Sequence, residues 1–432
     1  MAQSSLPQNT PPDASSSHAA PVIEDPASGT VDVDAGGKVS TVEAGAAATR
    51  LDAVDLLRGL VMVIMALDHT RDFFHADALL YQPTDLTKAT PLLFFTRWIT
   101  HFCAPTFVFL AGTGAFLSVS RGKTKRQLSW FLFTRGLWLI LLELTVVRLS
   151  WSPLAGLSFY VLQVIWALGV SMIVLAGLIH LPVRLIAAVG LLMIATHNLL
   201  DRFTAERFGS LGSLWRLLHE QGLWQPTSGL FVFVAYPLIP WIGVMAAGYA
   251  FGQLLLLERA RRRKVLLALG LSMTLAFIVL RTTNLYGDPH AWVSQQSAVY
   301  TLLSFLNTEK YPPSLLFLLM TLGPAIALLT LFERVRGALA RFFITFGRVP
   351  LFFYLLHIPL IHLIALISDF ARYRRPVGDI AFLTQTPPPA GYGYSLAVVY
   401  LVWLGVVVAL YPLCRWFAGV KRRRRAAWLS YL

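Results

Sequence analysis

The sequence has few charged residues for its length. Asp, Glu, Lys and Arg make up 13% of its 432 residues, whereas hydrophobic residues make up 56%. A soluble globular domain carries roughly a quarter charged residues, so this composition excludes a water-soluble fold. Apolar stretches of about 20 residues, the length that crosses the hydrocarbon core of a bilayer, recur along the chain. The sequence therefore predicts an all-α, polytopic membrane helix bundle.

Cysteine is also scarce, and its two occurrences, Cys103 and Cys414, lie inside apolar runs. This excludes a disulfide framework and a cysteine-based metal site. The formal net charge of +14 does not indicate nucleic-acid binding, because no basic stripe lies on a soluble face. In a membrane protein, an excess of Lys and Arg reflects topology and contact with anionic lipid headgroups. We expect membrane lipid as a partner and no nucleic acid.

Large apolar side chains are almost missing from residues 1–50, which are rich in Ala, Ser, Pro, Asp and Gly. The segment lacks the continuous apolar core of a secretory signal peptide, and its composition is typical of disorder. We therefore predict a disordered cytoplasmic tail over 1–50, a membrane domain over 51–420 and a basic cytoplasmic tail over 421–432.

Hydropathy predicts about ten transmembrane helices. The spans lie near 53–70, 91–118, 129–149, 157–180, 183–200, 230–256, 265–281, 313–332, 342–366 and 395–418. With the N-terminus inside, the basic clusters at 121–126, 259–264 and 421–425 all fall on the inner side, as the positive-inside rule requires. We predict that both termini are cytoplasmic and that the protein lies in the cell inner membrane. No internal repeat is visible, so an inverted-repeat transporter architecture gains no support.

The first span carries a stripe of polar residues. At about 100° per residue, Arg58 and His69 lie about 20° apart around the helix, and Asp72 falls on the same side. Asp55 lies within about 60° of Arg58. Charges inside a bilayer are costly and mark function or a structural pair, so the stripe must face the protein interior or a water-filled cavity. For Asp55 and Arg58, ligand binding and a pair that locks neighbouring helices both remain open. For His69, near the outer end, catalysis and helix capping remain open.

Six further polar residues of this kind lie in three other spans: Arg97 and His101 in the second, Arg135 and Glu143 in the third, and Arg348 and His357 in the ninth. Glu143 and His69 reach a similar depth, and a carboxylate beside an imidazole raises its basicity. We therefore predict a pair between these two residues. Histidines of a helix bundle also ligate haem, but the chain has no CxxCH motif. We expect no metal or haem, and we expect the first, second, third and ninth spans to enclose the site.

Four stretches of the chain stand out as motifs. They are Asp55-Leu56-Leu57-Arg58-Gly59 with Asp68-His69-Thr70-Arg71-Asp72-Phe73-Phe74; His101 with Pro105-Thr106-Phe107-Val108-Phe109-Leu110-Ala111-Gly112; Lys310-Tyr311-Pro312-Pro313-Ser314-Leu315; and Phe346-Gly347-Arg348-Val349-Pro350-Leu351-Phe352-Phe353-Tyr354. Together they resemble an uncharacterised bacterial membrane family that is grouped with the catalytic domain of heparan-α-glucosaminide N-acetyltransferase. The resemblance covers residues 50–420.

The resemblance implies transmembrane acyl transfer. The heparan enzyme takes acetyl from cytosolic acetyl-CoA and uses a histidine to deliver it to a glucosamine amine on the far side of the membrane. The related acyltransferase family 3 has an Arg-Gly-like motif that ends in a histidine, which matches Arg58 and His69. The histidine of the heparan enzyme lies instead between its first two spans, where this chain has only His75. We therefore choose His69 as the reactive histidine, with His75 and His101 as rivals.

The sequence thus predicts a membrane acyltransferase that moves an acetyl or acyl group from cytosolic acyl-CoA to an extracytoplasmic sugar, glycan or other small molecule. The predicted catalytic residues are His69, Asp68, Glu143 and His101, and the predicted binding residues are Asp55, Arg58, Arg71, Arg135, Arg348 and His357. The basic clusters at 121–126 and 259–264 either hold the phosphates of CoA or only set topology. A transporter or flippase that uses the same polar stripe is the alternative function, and a homo-oligomer is left open.

Overall fold

The computed structural model describes residues 41–151, 158–384, 386–424 and 426–431. Most of the predicted N-terminal tail, residues 1–40, lies outside the described residues, as do positions 425 and 432 of the predicted C-terminal tail. The first helix begins at Thr41, inside the segment predicted as a tail. Residues Thr49–Leu432 form one unit, to which the site described below belongs.

Helices dominate the described residues. In chain order they are α1 Thr41–Phe74, α2 Pro91–Thr100, α3 Cys103–Val119, α4 Lys125–Leu142, α5 Arg148–Trp151, α6 Val164–Leu178, α7 Val183–Thr196, α8 Gly212–Leu218, α9 Leu238–Phe251, α10 Arg259–Thr283, α11 Ala298–Leu306, α12 Leu315–Phe332, α13 Ala338–Arg348, α14 Pro350–Tyr373, α15 Val377–Thr384 and α16 Leu396–Arg423. The strands are β1 Phe159–Leu162, β2 Gly222–Thr227 and β3 Leu230–Val234. The predicted all-α membrane bundle is confirmed.

Eight helical segments among the described residues are long and apolar enough to cross a membrane. They are Pro91–Val119, Lys125–Trp151, Val183–Leu200, Leu238–Leu256, Arg259–Thr283, Leu315–Phe332, Pro350–Tyr373 and Leu396–Arg423. The other two predicted spans coincide with α1, whose apolar stretch is interrupted by charged residues, and with α6, an apolar helix of 15 residues. The inside location of both termini stays a prediction.

Breaks within the predicted spans have local causes. The second span ends one helix at Thr100 and starts the next at Cys103, just before Pro105. The ninth predicted span divides into α13 and α14 because Pro350 has no N–H to donate to a continuous helix. The third span contains a π-helical turn, Glu143–Val147. Such turns widen the helix locally and occur often at functional sites.

A small sheet is the main feature that hydropathy does not predict. Strand β3 lies between β1, to which it is parallel, and β2, to which it is antiparallel. β1 and β3 are runs of aromatic and β-branched residues at the starts of the predicted fourth and sixth spans. These residues favour strands as well as membrane helices, so an apolar run alone does not separate the two.

Close contact between α1 and α13 requires two glycines. A Cβ added to Gly59 would lie 1.8 Å from the carbonyl oxygen of Phe343, and one added to Gly347 would lie 1.8 Å from that of Asp55. Any larger residue at either position would push the two backbones apart. The two arginines that adjoin these glycines, Arg58 and Arg348, are thereby brought to the same end of the bundle.

Candidate active site

A cavity of about 1840 Å³ extends along α1, and we call it the α1 cavity. Its lining includes Arg58, Met62, Met65, His69 and Asp72. Arg58 and Asp72 are 14 positions apart, which corresponds to about 21 Å along a helix. The polar stripe predicted for the first span therefore faces a cavity, and that cavity has an Arg58 end and a His69 end.

Basic side chains line the Arg58 end of the α1 cavity. They are Arg58, Lys123, Arg135, Arg348 and Lys421. They come from α1, α4, α13, α16 and the segment between α3 and α4, so residues far apart in the chain meet there. Three of them, on α1, α4 and α13, are predicted binding residues, and all three line the cavity.

Carboxylates compensate only part of this positive charge. Arg58 forms an ion pair with Asp55, at 3.0 Å, and donates a hydrogen bond to the carbonyl of Gly347. Arg348 lies 3.0 Å from Asp52 and 3.7 Å from Asp55. Of the two roles left open for Asp55 and Arg58, the ion pair is thus present, and the contacts with Gly347 and Arg348 connect it to α13. Asp55 itself does not line the cavity: it orients two arginines that do.

Apolar side chains line the section between the two ends. Met62, Met65, Phe107, Leu132 and Leu139 are among them. Residues of the sheet, including Phe159, Val161, Leu223, Phe231 and Phe233, are further apolar members of the cavity lining, and β1 lies by the His69 end. The cavity is therefore basic at one end, apolar in its middle section and polar again at the His69 end.

Charged residues of both signs are buried at the His69 end. Asp68 forms an ion pair with Arg71 at 3.0 Å and a second one with Arg97 on α2. Arg71 also pairs with Asp72. Lys310 lines the same region, is 7% exposed, and has no carboxylate within ion-pair distance in the described parts of the chain. Buried charges are costly unless they are paired. The ion pairs of Asp68 with Arg71 and Arg97 therefore fix the position of α2 relative to α1.

His69 lies in the cavity wall next to this network. Its Nδ1 is 3.9 Å from Oδ2 of Asp72 and makes no hydrogen bond. The imidazole contacts the edge of Trp151 at 4.9 Å and the ring of His357 at 5.2 Å, measured between ring centroids. Because Nδ1 of His69 makes no hydrogen bond, the imidazole is free to accept a substrate proton.

His357 lies behind His69 and not in the cavity wall, so its predicted role in binding substrate is not supported by its position. Its Nδ1 lies 3.1 Å from the carbonyl oxygen of Phe353, an acceptor, which assigns the proton to Nδ1. Nε2 then has an unshared pair and makes no hydrogen bond. His357 therefore contacts the ring of His69 without lining the cavity.

The two rival histidines differ in their surroundings. His101 lines the cavity, but it is 2% exposed and its ring lies 5.3 Å from that of Phe317. His75 does not line the cavity, and its Nδ1 already accepts a hydrogen bond from the backbone N–H of Asp77. Burial lowers the pKa of His75. Of the three candidates, only His69 combines a place in the cavity wall with a carboxylate at ion-pair distance.

The predicted pair between His69 and Glu143 is wrong. Oε2 of Glu143 accepts a hydrogen bond of 3.0 Å from the backbone N–H of Trp166, in the first turn of α6. The first N–H groups of a helix have no partner within the helix, and this carboxylate supplies one. Its other oxygen makes no hydrogen bond. Glu143 therefore caps α6. It lies at a similar depth in the bilayer to His69, but the two side chains are not in contact.

Sequence reasoning assigned no role to several residues of this end. Lys310 and Tyr311 belong to the motif at residues 310–315, for which the sequence predicts no function. The Tyr311 hydroxyl lies 3.5 Å from a guanidinium nitrogen of Arg97, and its ring lies 5.2 Å from that of Tyr236. Trp151 follows the π-helical turn and contacts His69. The one signal in the sequence was the presence of Lys310 and Tyr311 in a motif for which no function was predicted.

These features define a polytopic membrane protein with a histidine-containing polar site in a cavity that extends along its first helix. The catalytic domain family of heparan-alpha-glucosaminide N-acetyltransferases matches residues 50–286, more than half of the chain. The chain belongs to this family, as its motifs predict. No curated protein matches the sequence. The matched region contains the residues of α1 and α2 discussed above, whereas Lys310, Arg348 and His357 lie beyond it.

Proposed function

We propose that this protein transfers an acyl group from cytosolic acyl-CoA, across the inner membrane, to an amine or hydroxyl of a sugar or glycan on the opposite side. One observation carries the proposal. A single cavity joins a cluster of basic side chains to a half-buried histidine about 16 Å further along the same helix. Family membership supports acyl transfer in general; the donor, the acceptor and the direction are proposals.

The Arg58 end has the chemistry that CoA requires. The phosphate groups of CoA are multiply charged, and arginine guanidinium groups bind phosphate through paired, charge-assisted hydrogen bonds. Arg58 and Arg348 retain donors beyond those that contact Asp52, Asp55 and the carbonyl of Gly347. The apolar middle section then accepts the extended pantetheine arm. In this arrangement the thioester lies near His69.

The reaction follows from the groups at the His69 end. His69 accepts the proton of the acceptor amine or hydroxyl while the nucleophile attacks the thioester carbonyl carbon. The ammonium group of Lys310 stabilises the negative charge that develops on the carbonyl oxygen. The C–S bond then breaks, the new amide or ester forms, and the proton on His69 passes to the CoA thiolate. No metal or redox group takes part in this sequence of steps.

Asp68 and Arg71 have supporting roles in this scheme. Asp68 forms ion pairs with two arginines, which favour its ionised form, so it is poorly suited to take up a substrate proton. Arg71 connects Asp68 with Asp72, which in turn adjoins His69. Both residues therefore position the imidazole, in place of the catalytic role predicted for Asp68 and the substrate-binding role predicted for Arg71.

A vesicle experiment tests the proposal. Inside-out membrane vesicles that contain the protein are loaded with glucosamine and supplied outside with acetyl-CoA labelled in the acetyl group. We expect acetylated glucosamine inside the vesicles at a rate that depends on acetyl-CoA. A transporter or flippase predicts solute flux that does not depend on CoA, and that result would reject the proposal. Label that becomes stably bound to the protein would indicate an acyl-histidine intermediate in place of direct transfer.

A further inference from the structure

A cluster of side chains of the types that bind metal ions lies outside the α1 cavity. His197 follows the end of α7, Asp201 lies four residues later, and His219 follows the end of α8. One ligand atom from each of the three residues lies within 4.8 Å of the others. None of the three lines the α1 cavity. The cluster is therefore separate from the site at which we propose acyl transfer.

Both histidines are buried and have unused nitrogen atoms. His197 is 1% exposed, and neither of its ring nitrogens makes a hydrogen bond of normal geometry. His219 is 3% exposed; its Nε2 lies 2.9 Å from Oδ1 of Asp201, and its Nδ1 makes no hydrogen bond. The two rings lie 5.7 Å apart, measured between centroids. Buried polar atoms without partners are rare, and an unobserved ion is one of their ordinary explanations.

The three side chains are a suitable donor set for zinc. Zn²⁺ binds imidazole nitrogen and carboxylate oxygen at about 2.0–2.2 Å, whereas Ca²⁺ and Mg²⁺ prefer oxygen ligands alone. A tetrahedral site with such bonds separates its ligand atoms by about 3.3 Å. The contact between His219 and Asp201, at 2.9 Å, is already close to this value. The ligand atom of His197 lies within 4.8 Å of the other two, so it exceeds this value by at most about 1.5 Å.

Neighbouring groups hold the donors in place. The amide nitrogen of Asn198 donates a hydrogen bond of 2.9 Å to Oδ2 of Asp201, so the carboxylate keeps Oδ1 for a metal. The amide oxygen of Asn198 accepts a hydrogen bond from the backbone N–H of Leu315. The carbonyl of Pro313 faces the imidazole of His197. Metal-binding histidines commonly direct their other nitrogen at a backbone carbonyl, and such contacts fix the ring orientation.

We infer that His197, Asp201 and His219 bind one Zn²⁺ ion, with a water molecule as the fourth ligand. The ion would tie the end of α7 to the segment that leads into β2 and to the loop before α12. That loop carries Lys310 and Tyr311 into the wall of the α1 cavity. The inferred site is structural, and it does not depend on the proposed acyl transfer. It replaces the expectation that the protein binds no metal.

Metal binding is measured directly on the full-length protein, purified in detergent and stripped with a chelator. Co²⁺ is the first probe because tetrahedral Co²⁺ absorbs strongly in the visible range, and Zn²⁺ is then used to displace it. We expect one Co²⁺ per chain, displaced by Zn²⁺, and an increase in the thermal unfolding temperature when Zn²⁺ is added. Wild-type protein that binds neither ion at one equivalent would overturn the inference.

Variants locate the site. His197→Ala and His219→Ala should each weaken Co²⁺ binding at least tenfold and abolish the Zn²⁺-dependent rise in unfolding temperature. His180→Ala is the matched control, because His180 is exposed in the turn between α6 and α7, and it should bind Co²⁺ like the wild type. Unchanged binding by the first two variants would overturn the inference. If either variant does not remain monodisperse, X-ray absorption spectroscopy of the Zn²⁺-loaded wild type replaces the binding measurement on that variant. A spectrum with two imidazole ligands would support the inferred site, and one with no imidazole ligand would overturn it.

Discussion

Asp68 and Arg97, on different helices, form a buried ion pair that fixes α2 against α1. Asp68 also pairs with Arg71, one turn further along its own helix. The residue next to Asp68, His69, is directed to Asp72 and Trp151 instead. Both residues line the α1 cavity, but they differ in their contacts: Asp68 forms ion pairs that hold α1 and α2 together, whereas His69 forms none with an arginine.

Asp68→Asn should destabilise the protein. The substitution leaves two buried arginines without a full counter-charge, which costs about 3–5 kcal/mol when a buried pair loses one partner. Unfolding in mixed micelles with increasing denaturant measures the free energy of unfolding. Glu206→Gln is the matched control, because Glu206 has a 70% exposed side chain and pairs with Arg216 at the surface, where such pairs contribute about 1 kcal/mol or less. Equal effects of the two substitutions would contradict the role assigned to Asp68.

Arg348→Ala should raise the KM for acetyl-CoA about tenfold, because removal of one guanidinium–phosphate contact costs about 1.4 kcal/mol. The KM for acetyl-pantetheine, which lacks the nucleotide phosphates, should not change. Steady-state transfer to glucosamine with both donors measures the difference. An equal rise with both donors would mean that the basic end of the α1 cavity does not recognise the phosphates of CoA.

Lys310→Met should lower kcat about 100-fold with little change in KM, because a group that stabilises charge in the transition state contributes mainly to kcat. Lys310→Arg keeps the positive charge and should retain more activity than the methionine variant. Lys88→Met removes an exposed lysine and serves as the control. If Lys310→Met changes KM alone, Lys310 binds the ground state and does not stabilise the oxyanion.

Glu143→Gln should keep most of the transfer activity, because the amide oxygen of glutamine still accepts the hydrogen bond from the N–H of Trp166. Glu143→Ala removes this cap and should lower the free energy of unfolding by about 1 kcal/mol, as the loss of an N-terminal cap usually does. Activity and unfolding are measured on the same preparations. Loss of turnover in Glu143→Gln, with stability unchanged, would restore the catalytic role that the sequence suggested.

The sequence correctly predicts features that depend on the geometry of a single helix. The rotation of successive residues around α1 brings Arg58 and His69 to one side, and both line the α1 cavity. Residues on different helices were predicted less well. Glu143 and His69 share a depth in the bilayer, but depth does not determine the direction in which a side chain points around its helix. The capping of α6 by Glu143 depends on packing that no local pattern reports.

Long-range placement also explains the features that were missed. Lys310 reaches the site from a loop more than 200 residues after His69, so no spacing rule connects them. His197 and His219 lie 22 residues apart, without the short spacing of a familiar zinc motif. Hydropathy does not predict β1 and β3 as strands, because their aromatic and β-branched residues also occur in membrane helices. In each case the tertiary fold supplies the information that a local pattern lacks.

The central claim is that His69 accepts the proton of the acceptor during acyl transfer. The most direct test measures transfer of labelled acetyl from acetyl-CoA to glucosamine by His69→Ala, beside His75→Ala and His101→Ala. Binding of CoA to each variant is measured separately. We predict that His69→Ala loses transfer by at least 100-fold while it still binds CoA, and that His75→Ala remains active. Full activity of His69→Ala, or loss of activity only in one of the other two variants, would contradict this account.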